Sequence, residues 1–184
     1  MAANFVPILL SVPFAVIGGV FWKPDKPLEP IPLTLVCLFP VIGWIVLNFI
    51  GTMGNEPMRA ELARLAGREY PEGNLQMMFV GFAHPKYQSV LDPHEEVGFL
   101  IFHADSLELF SAGMRLSWKR DEILKVYRKP NVHSLVGLGG WVVIEGIEKG
   151  HTLYLEPREK SSLLGNSALR RVLMAQIEAW RSVS

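Results

Sequence analysis

The stretch Val97-Gly-Phe-Leu-Ile-Phe-His-Ala-Asp-Ser-Leu-Glu-Leu-Phe110 holds two β-strand patterns joined by a short turn signal. Val97–Phe102 is apolar throughout, which is typical of a strand buried on both faces of a sheet. The second pattern alternates Leu107 and Leu109 with polar residues, so one of its faces is expected to meet solvent. The stretch therefore predicts a central strand paired with a less buried neighbour.

Further strand patterns surround this pair. The seven predicted strands are Leu75–Ala83, Val97–His103, Ser106–Phe110, Met114–Trp118, Ile123–Arg128, Trp141–Glu145 and Thr152–Glu156. Gly, Pro, Asp or Asn residues separate them, and short strands in succession predict an antiparallel barrel or sandwich.

The last pattern is helical, and Asn166 or Ser167 can cap it. Its apolar residues recur at steps of three and four: Leu169, Val172, Leu173, Ile177 and Trp180. An apolar stripe of this width must be buried, and the open end of a small barrel is the expected place.

Two uncharged apolar runs, Phe5–Trp22 and Ile31–Ile50, precede this domain. At about 1.5 Å per residue each reaches roughly 27 to 30 Å, the thickness of the hydrocarbon core of a bilayer. A secretory signal peptide is the alternative for the first run, but Met1–Asn4 carries no positive charge. Residues 1–54 are therefore predicted to form a transmembrane hairpin with spans at 5–22 and 31–50.

Small residues and one tryptophan within these runs favour contacts between helices. Gly18, Gly19 and Gly43 would allow close helix approach, and Trp44 lies deep enough to pack against a helix or a partner. Cys37, the single cysteine, excludes an intrachain disulfide and a multi-cysteine metal site.

The basic residues that flank the spans favour one topology. Lys23 and Lys26 lie between the runs, whereas Arg59, Arg64 and Arg68 follow the second. This excess predicts that both termini and the soluble domain are cytoplasmic, in an integral protein of the cytoplasmic membrane if the source is bacterial.

Residues 55–72 are predicted to form a connector helix, capped by Asn55 with Pro57 in its first turn. Its apolar face is formed by Met58, Leu62, Leu65 and Ala66. A helix lying on the membrane is one interpretation, and a linker helix docked on the domain is the other. The narrow stripe favours docking.

Signatures of enzymes and metal sites are incomplete in this chain. His94-Glu95 lacks the second ligand of a zinc motif, because Gly98 occupies that position. Gly137-Leu-Gly-Gly140 precedes a strand, so it is read as a turn or a flexible binding loop and not as a phosphate loop. With net charge +0 and 49% hydrophobic residues, the sequence predicts no enzyme, no cofactor, no metal and no nucleic-acid partner.

Five basic residues lie close together in the sequence: Lys119, Arg120, Lys125, Arg128 and Lys129. They are the predicted lipid- or partner-binding site, because clustered cations attract anionic headgroups. A solvated strand edge is the alternative interpretation.

The soluble part resembles a bacterial pleckstrin-homology-like domain, related in plan to GRAM domains. The resemblance lies in Val97–Phe102, Ser106–Phe110, Leu116–Val126, Trp141–Ile144 and the closing helix. It implies that residues 73–184 form a seven-stranded, helix-capped barrel that binds lipid headgroups or peptides and is not an enzyme, in a family that also occurs fused to two-span membrane hairpins.

One departure from that family concerns phosphoinositides, since the loop between the first two strands offers Lys86 alone among acidic residues. The chain is therefore predicted to be an α+β membrane protein and a non-enzymatic, membrane-anchored adaptor or accessory subunit of a larger membrane protein complex. A module that senses anionic lipid is the alternative.

Overall fold

A computed structural model describes residues 12–13, 16–17, 20, 30–50, 52–71, 75–83, 96–148 and 151–182, without the side chains of 30–37, 39, 132 and 136. The chain divides into two compact units, Met1–Gly51 and Thr52–Ser184.

The first unit contains helix α1 (Pro30–Ile50), which has Pro40 in its interior and no charged side chain. Residues 12–13, 16–17 and 20 are also helical. Within the part of the chain that the structure describes, no helix combines the length and the apolarity needed to cross a membrane.

The residues predicted to pack the two spans are only partly described. Gly18 and Gly19 lie outside the described residues, as does most of the run 5–22. In α1, Gly43 is half-buried and the side chain of Trp44 is 37% exposed.

The second unit is built on an antiparallel sheet. Its strands are β1 (Gln76–Ala83), β2 (Glu96–Phe102), β3 (Ser106–Ser111), β4 (Arg115–Lys119), β5 (Ile123–Lys129), β6 (Trp141–Gly146) and β7 (Thr152–Pro157). Short 3-10 turns at Arg120–Glu122 and Val132–Val136 follow β4 and β5.

The strands are ordered β4-β3-β2-β1-β7-β6-β5. Trp118 of β4 and Ile123 of β5 come from opposite ends of this order, yet both belong to one core cluster. The sheet therefore curls around an apolar interior, to which β1 contributes Met78, Val80 and Phe82. A seven-stranded curled antiparallel sheet confirms the predicted strand plan.

Helix α3 (Leu163–Ser182) covers that interior, with Leu173 and Ile177 fully buried. It begins three residues earlier than the predicted cap at Asn166. The Ser162 hydroxyl accepts from the Gly165 N–H at 3.1 Å. Asn166 lies inside the helix, where its amide both accepts from and donates to the backbone of Lys160.

The last turn of α3 is tied to the sheet at two places. The Trp180 indole donates to the carbonyl of His103 at 2.7 Å. The Arg181 guanidinium donates to the carbonyls of Ile123 at 3.1 Å and Leu124 at 3.3 Å. The Arg181 bonds satisfy backbone groups where β5 begins, at one end of the strand order.

Helix α2 (Asn55–Glu69) packs on the opposite, outer face of the sheet. Leu62 and Ala66 are buried in a second cluster with Phe79, Phe99, Ile101 and Phe110. This is why β2 is apolar on both faces: its alternate residues serve the interior and α2. The connector helix thus docks on the sheet domain and belongs to the same unit.

Candidate functional site

The five predicted basic residues do not form one surface. Lys119 ends β4 and is exposed, and Arg120 begins the following turn. The Arg120 guanidinium donates to the carbonyl of Ala104 at 2.6 Å and lies 5.0 Å from the ring of Trp180. Arg120 is therefore occupied in holding the β2–β3 turn against α3.

The other three basic residues lie on β5 and are divided between its two faces. The Lys125 ammonium pairs with Glu145 at 3.3 Å, and the Lys129 ammonium donates to the hydroxyl of Tyr154 at 3.2 Å. Arg128 points the other way and donates to the sulfur of Met174 in α3. Because successive strand residues face opposite sides of a sheet, a single headgroup cannot contact all five.

A hollow of about 920 Å³ lies at the corner between β4 and β5, beside the end of α3. Its charged lining consists of Lys119, Arg120 and Arg181 together with Asp105, Asp121 and Glu178. Three cations face three carboxylates, so the corner offers an anion no net electrostatic attraction.

A second surface lies between α2 and the sheet, and we call it the α2 groove. Its first part has a volume of about 700 Å³. It is lined by Pro57, Met58, Glu61, Leu62, Leu65, Glu96, Val97, Ala112 and Gly113. The lining is largely apolar, and the side chain of Met58 is 41% exposed.

The groove continues toward the end of α2 as a hollow of about 460 Å³. Leu65, Ala112 and Gly113 line both parts, so the two are contiguous. The second part also has Arg68, Glu69, Phe110, Ser111, Met114 and Arg115 in its lining. The wall opposite α2 carries little side-chain bulk where the β3–β4 turn presents Ala112 and Gly113.

The helix that forms one wall of the groove is fastened at its N-terminal end. The Thr52 hydroxyl donates to the carbonyl of Ser161 at 2.6 Å, and the Arg59 guanidinium pairs with Glu159 at 2.8 Å. Asn55 does not cap the helix as predicted. The N-cap is Gly54, with φ of 86°, and the Asn55 amide donates to the carbonyl of Arg158 at 3.2 Å.

The C-terminal end of α2 is fastened as well. Glu69 accepts from Arg115 of β4 at 2.7 Å, and the Tyr70 hydroxyl donates to Glu108 of β3 at 2.6 Å. The Arg115 hydrogen bond lowers the pKa of Glu69, whereas burial and the Glu108 carboxylate raise the pKa of Tyr70. The position of this wall is therefore set by contacts at both ends.

A buried polar cluster lies elsewhere on the sheet, around Glu156 of β7. This carboxylate is 1% exposed, with Arg158 at 3.6 Å and the His133 ring at 3.9 Å. A Cβ on Gly139 would lie 2.8 Å from Glu156. The loop 137–140 is thus a closely packed turn, with Leu138 fully buried, and it is not the flexible binding loop that the sequence left open.

The α2 groove is the feature that sequence reasoning missed. The apolar stripe of α2 was visible in the sequence, but the opposite wall comes from Val97 and the turn Ala112–Gly113, which are distant along the chain. Among the described residues, no group of three potential metal-ligating side chains is present.

Comparison with known proteins adds little to this description. No family model and no curated protein matches the chain. The C-terminal domain of an unknown protein from Leishmania infantum is 14% identical over 63% of this chain and 97% of that chain, with a TM-score of 0.41.

The N-terminal PH domain of Vps36 is also 14% identical, over 57% of this chain and 83% of that chain, with a TM-score of 0.31. Both scores are low, and the fold is defined by the strand order and the closing helix. These agree with the plan that the resemblance to pleckstrin-homology-like domains implies.

Proposed function

We propose that the second unit is a protein-interaction module, and that the chain acts as a non-enzymatic adaptor in a larger membrane protein complex. The α2 groove carries this proposal. Its first part is open and largely apolar. One of its walls is a helix fixed at both ends, so the shape of the groove exists before a partner arrives.

Attachment to a membrane is the second part of the proposal, and its support is in the sequence. The runs Phe5–Trp22 and Ile31–Ile50 carry no charged side chain. The basic residues that follow them favour a cytoplasmic position for the interaction module.

Contact with anionic lipid is the alternative role. Its predicted site, the five basic residues between Lys119 and Lys129, is divided between the β4–β5 corner and two faces of β5. The residues that line the α2 groove, in contrast, form one continuous surface. For this reason we favour a protein partner.

Purification of the full chain in mild detergent tests the adaptor role. A partner should co-purify in a fixed ratio and should be lost from the variant Ala112→Trp, whose indole would fill the groove. Leu135→Trp is the matched control, because Leu135 is 85% exposed and does not line the groove. Purification of a lone monomer would refute the adaptor role, and retention of the partner by Ala112→Trp would refute the α2 groove as the binding site.

Fractionation of cells tests the anchor separately. The full chain should sediment with membranes and resist extraction by alkaline carbonate, whereas residues 52–184 alone should not sediment. A full chain that is released by carbonate would contradict membrane anchoring.

A further inference from the structure

The start of the second unit is fastened to the connection between β7 and α3. The Thr52 hydroxyl donates to the carbonyl of Ser161 at 2.6 Å, and the Asn55 amide donates to the carbonyl of Arg158 at 3.2 Å. Thr52 also lines a hollow of about 450 Å³ together with Lys160. The first residues of the second unit and the β7–α3 connection therefore form one surface.

This surface lies close along the chain to the second apolar run. The run ends at Ile50, and two residues span at most about 7 Å. The proposed span Ile31–Ile50 therefore puts Thr52 at the surface of the bilayer. The hydrogen bond from Thr52 to Ser161 brings the β7–α3 connection to the same level.

Two apolar side chains of this part of the unit are exposed. Met53 is 73% exposed, and Leu164, in the first turn of α3, is 51% exposed. Leu163 is fully buried, so the unit itself covers only one of these two neighbouring leucines. Apolar side chains beside a membrane gain free energy when they are buried at the boundary between headgroups and acyl chains. A lipid surface would therefore bury both Met53 and Leu164.

The exposed charges beside Thr52 are balanced. Arg59 pairs with Glu159 at 2.8 Å. Lys160 and Glu56 line the same hollow and are exposed, and neither makes an ion pair within the described part of the chain. A lysine can hold its ammonium at the level of lipid phosphates while its stem lies along apolar groups. We therefore expect a contact based on apolar side chains, with little preference for anionic lipid.

Building on the proposed membrane anchor, we infer that this surface of the second unit rests on the phospholipid bilayer. Met53 and Leu164 lie at the boundary between headgroups and acyl chains, and the Lys160 ammonium lies beside a lipid phosphate. The contact fixes the orientation of the interaction module on the membrane, which a covalent connection at one point would leave free.

Fluorescent labels on the full chain in lipid nanodiscs test this inference. The environment-sensitive NBD group is attached at Leu164→Cys in a Cys37→Ala background. Ile147→Cys is the matched control, because Ile147 is 64% exposed and the six residues of β7, about 20 Å in length, separate its turn from the β7–α3 connection. The label at residue 164 should emit at a shorter wavelength than the label at residue 147, and nitroxide-bearing lipids should quench only the label at residue 164.

A second substitution tests the apolar contact. Met53→Glu should shift the equilibrium between the resting and the detached module about fivefold toward the detached form, the effect of losing half the burial of a methionine side chain. The quenching at residue 164 should fall accordingly. Ile147→Glu adds the same charge at the far end of β7 and should leave the quenching unchanged. Quenching should be similar in neutral nanodiscs and in nanodiscs that contain phosphatidylserine.

Equal quenching at residues 164 and 147, or quenching that Met53→Glu does not reduce, would overturn the inference. Quenching confined to anionic nanodiscs would overturn its apolar basis. A short emission wavelength at residue 164 without quenching would also overturn it, since a protein would then cover this surface. Carbonate extraction separates the two proposals: a chain that resists carbonate but is not quenched at residue 164 keeps its anchor and lacks the surface contact, whereas release by carbonate refutes both.

Discussion

Helices α2 and α3 each lay an apolar stripe on the same sheet, but they use it differently. Helix α3 buries Leu173 and Ile177 completely in the interior of the curled sheet. Helix α2 buries Leu62 and Ala66 on the outer face but leaves Met58 substantially exposed. The apolar stripe of α3 is buried within the fold, whereas the stripe of α2 is partly buried and partly exposed in the groove.

This contrast separates residues that stabilise the unit from residues that are available for binding. An interior that every strand lines cannot lose volume without a large energetic cost. A helix attached by its ends and by two buried residues can present the rest of its face to another protein. Stability and binding should therefore be altered by different substitutions, and this can be measured.

The largest effect is expected for Leu173→Ala in α3. The side chain is fully buried in the main cluster, and truncating such a leucine costs about 2 to 5 kcal/mol of unfolding free energy. Urea denaturation of residues 52–184 would measure it. If Leu173→Ala cost less than Leu62→Ala, the distinction between the two helices would be wrong.

Leu62→Ala in α2 should cost less, about 2 kcal/mol, because the space it leaves borders the open groove and can relax. Met58→Ala, one helical turn away, should change stability by less than about 0.5 kcal/mol. It should nevertheless weaken co-purification of the partner with the full chain. Loss of stability in Met58→Ala without loss of binding would remove Met58 from the groove's function.

A stabilising substitution is expected on the solvent-exposed side of α2. A Cβ on Gly67 would meet nothing within 4 Å, and replacing a helical glycine with alanine gains about 0.5 to 1 kcal/mol. Gly67→Ala should therefore raise the urea midpoint and leave co-purification of the partner unchanged. A lower midpoint would show that α2 does not tolerate the added methyl group.

The smallest expected effect is on the pH dependence of the free energy of unfolding. Arg115 lowers the pKa of Glu69 below its usual 4.5 in the folded unit, so this pair stabilises folding above about pH 4.5, and the contribution disappears as the pH falls through the lower folded value. Glu69→Gln should narrow the difference in urea midpoint between neutral and strongly acidic solution. An unchanged difference would mean that the pair does not contribute measurably to the attachment of α2.

The strand pattern could be predicted well because burial on this sheet follows residue alternation. Each predicted strand end lies within one residue of the observed end. The continuous apolar run of β2 marked a strand covered on both sides, as the two clusters confirm. Local patterning sufficed because each strand's neighbours in sequence are largely its neighbours in the sheet.

Helix caps and sites were harder because they depend on distant partners. The polar side chains of Asn55 and Asn166 suit a cap by composition, yet both bind backbone from the segment 158–160. The basic residues of β5 are close in sequence, but strand geometry sends them to opposite faces. The groove is formed by α2, the start of β2 and the β3–β4 turn. These segments are far apart in the sequence, so no local pattern indicates the groove.

The two ends of the strand order bear on how this protein behaves at high concentration. An uncovered edge strand is a template onto which another chain can add, and this is one origin of aggregation. Where β5 begins, the Arg181 guanidinium already occupies the carbonyls of Ile123 and Leu124. β4 carries exposed charges at Arg115 and Lys119, and Arg115 is paired with Glu69. Since salt screens charges but leaves a close hydrogen bond largely intact, we expect assemblies that form in concentrated salt to begin at β4.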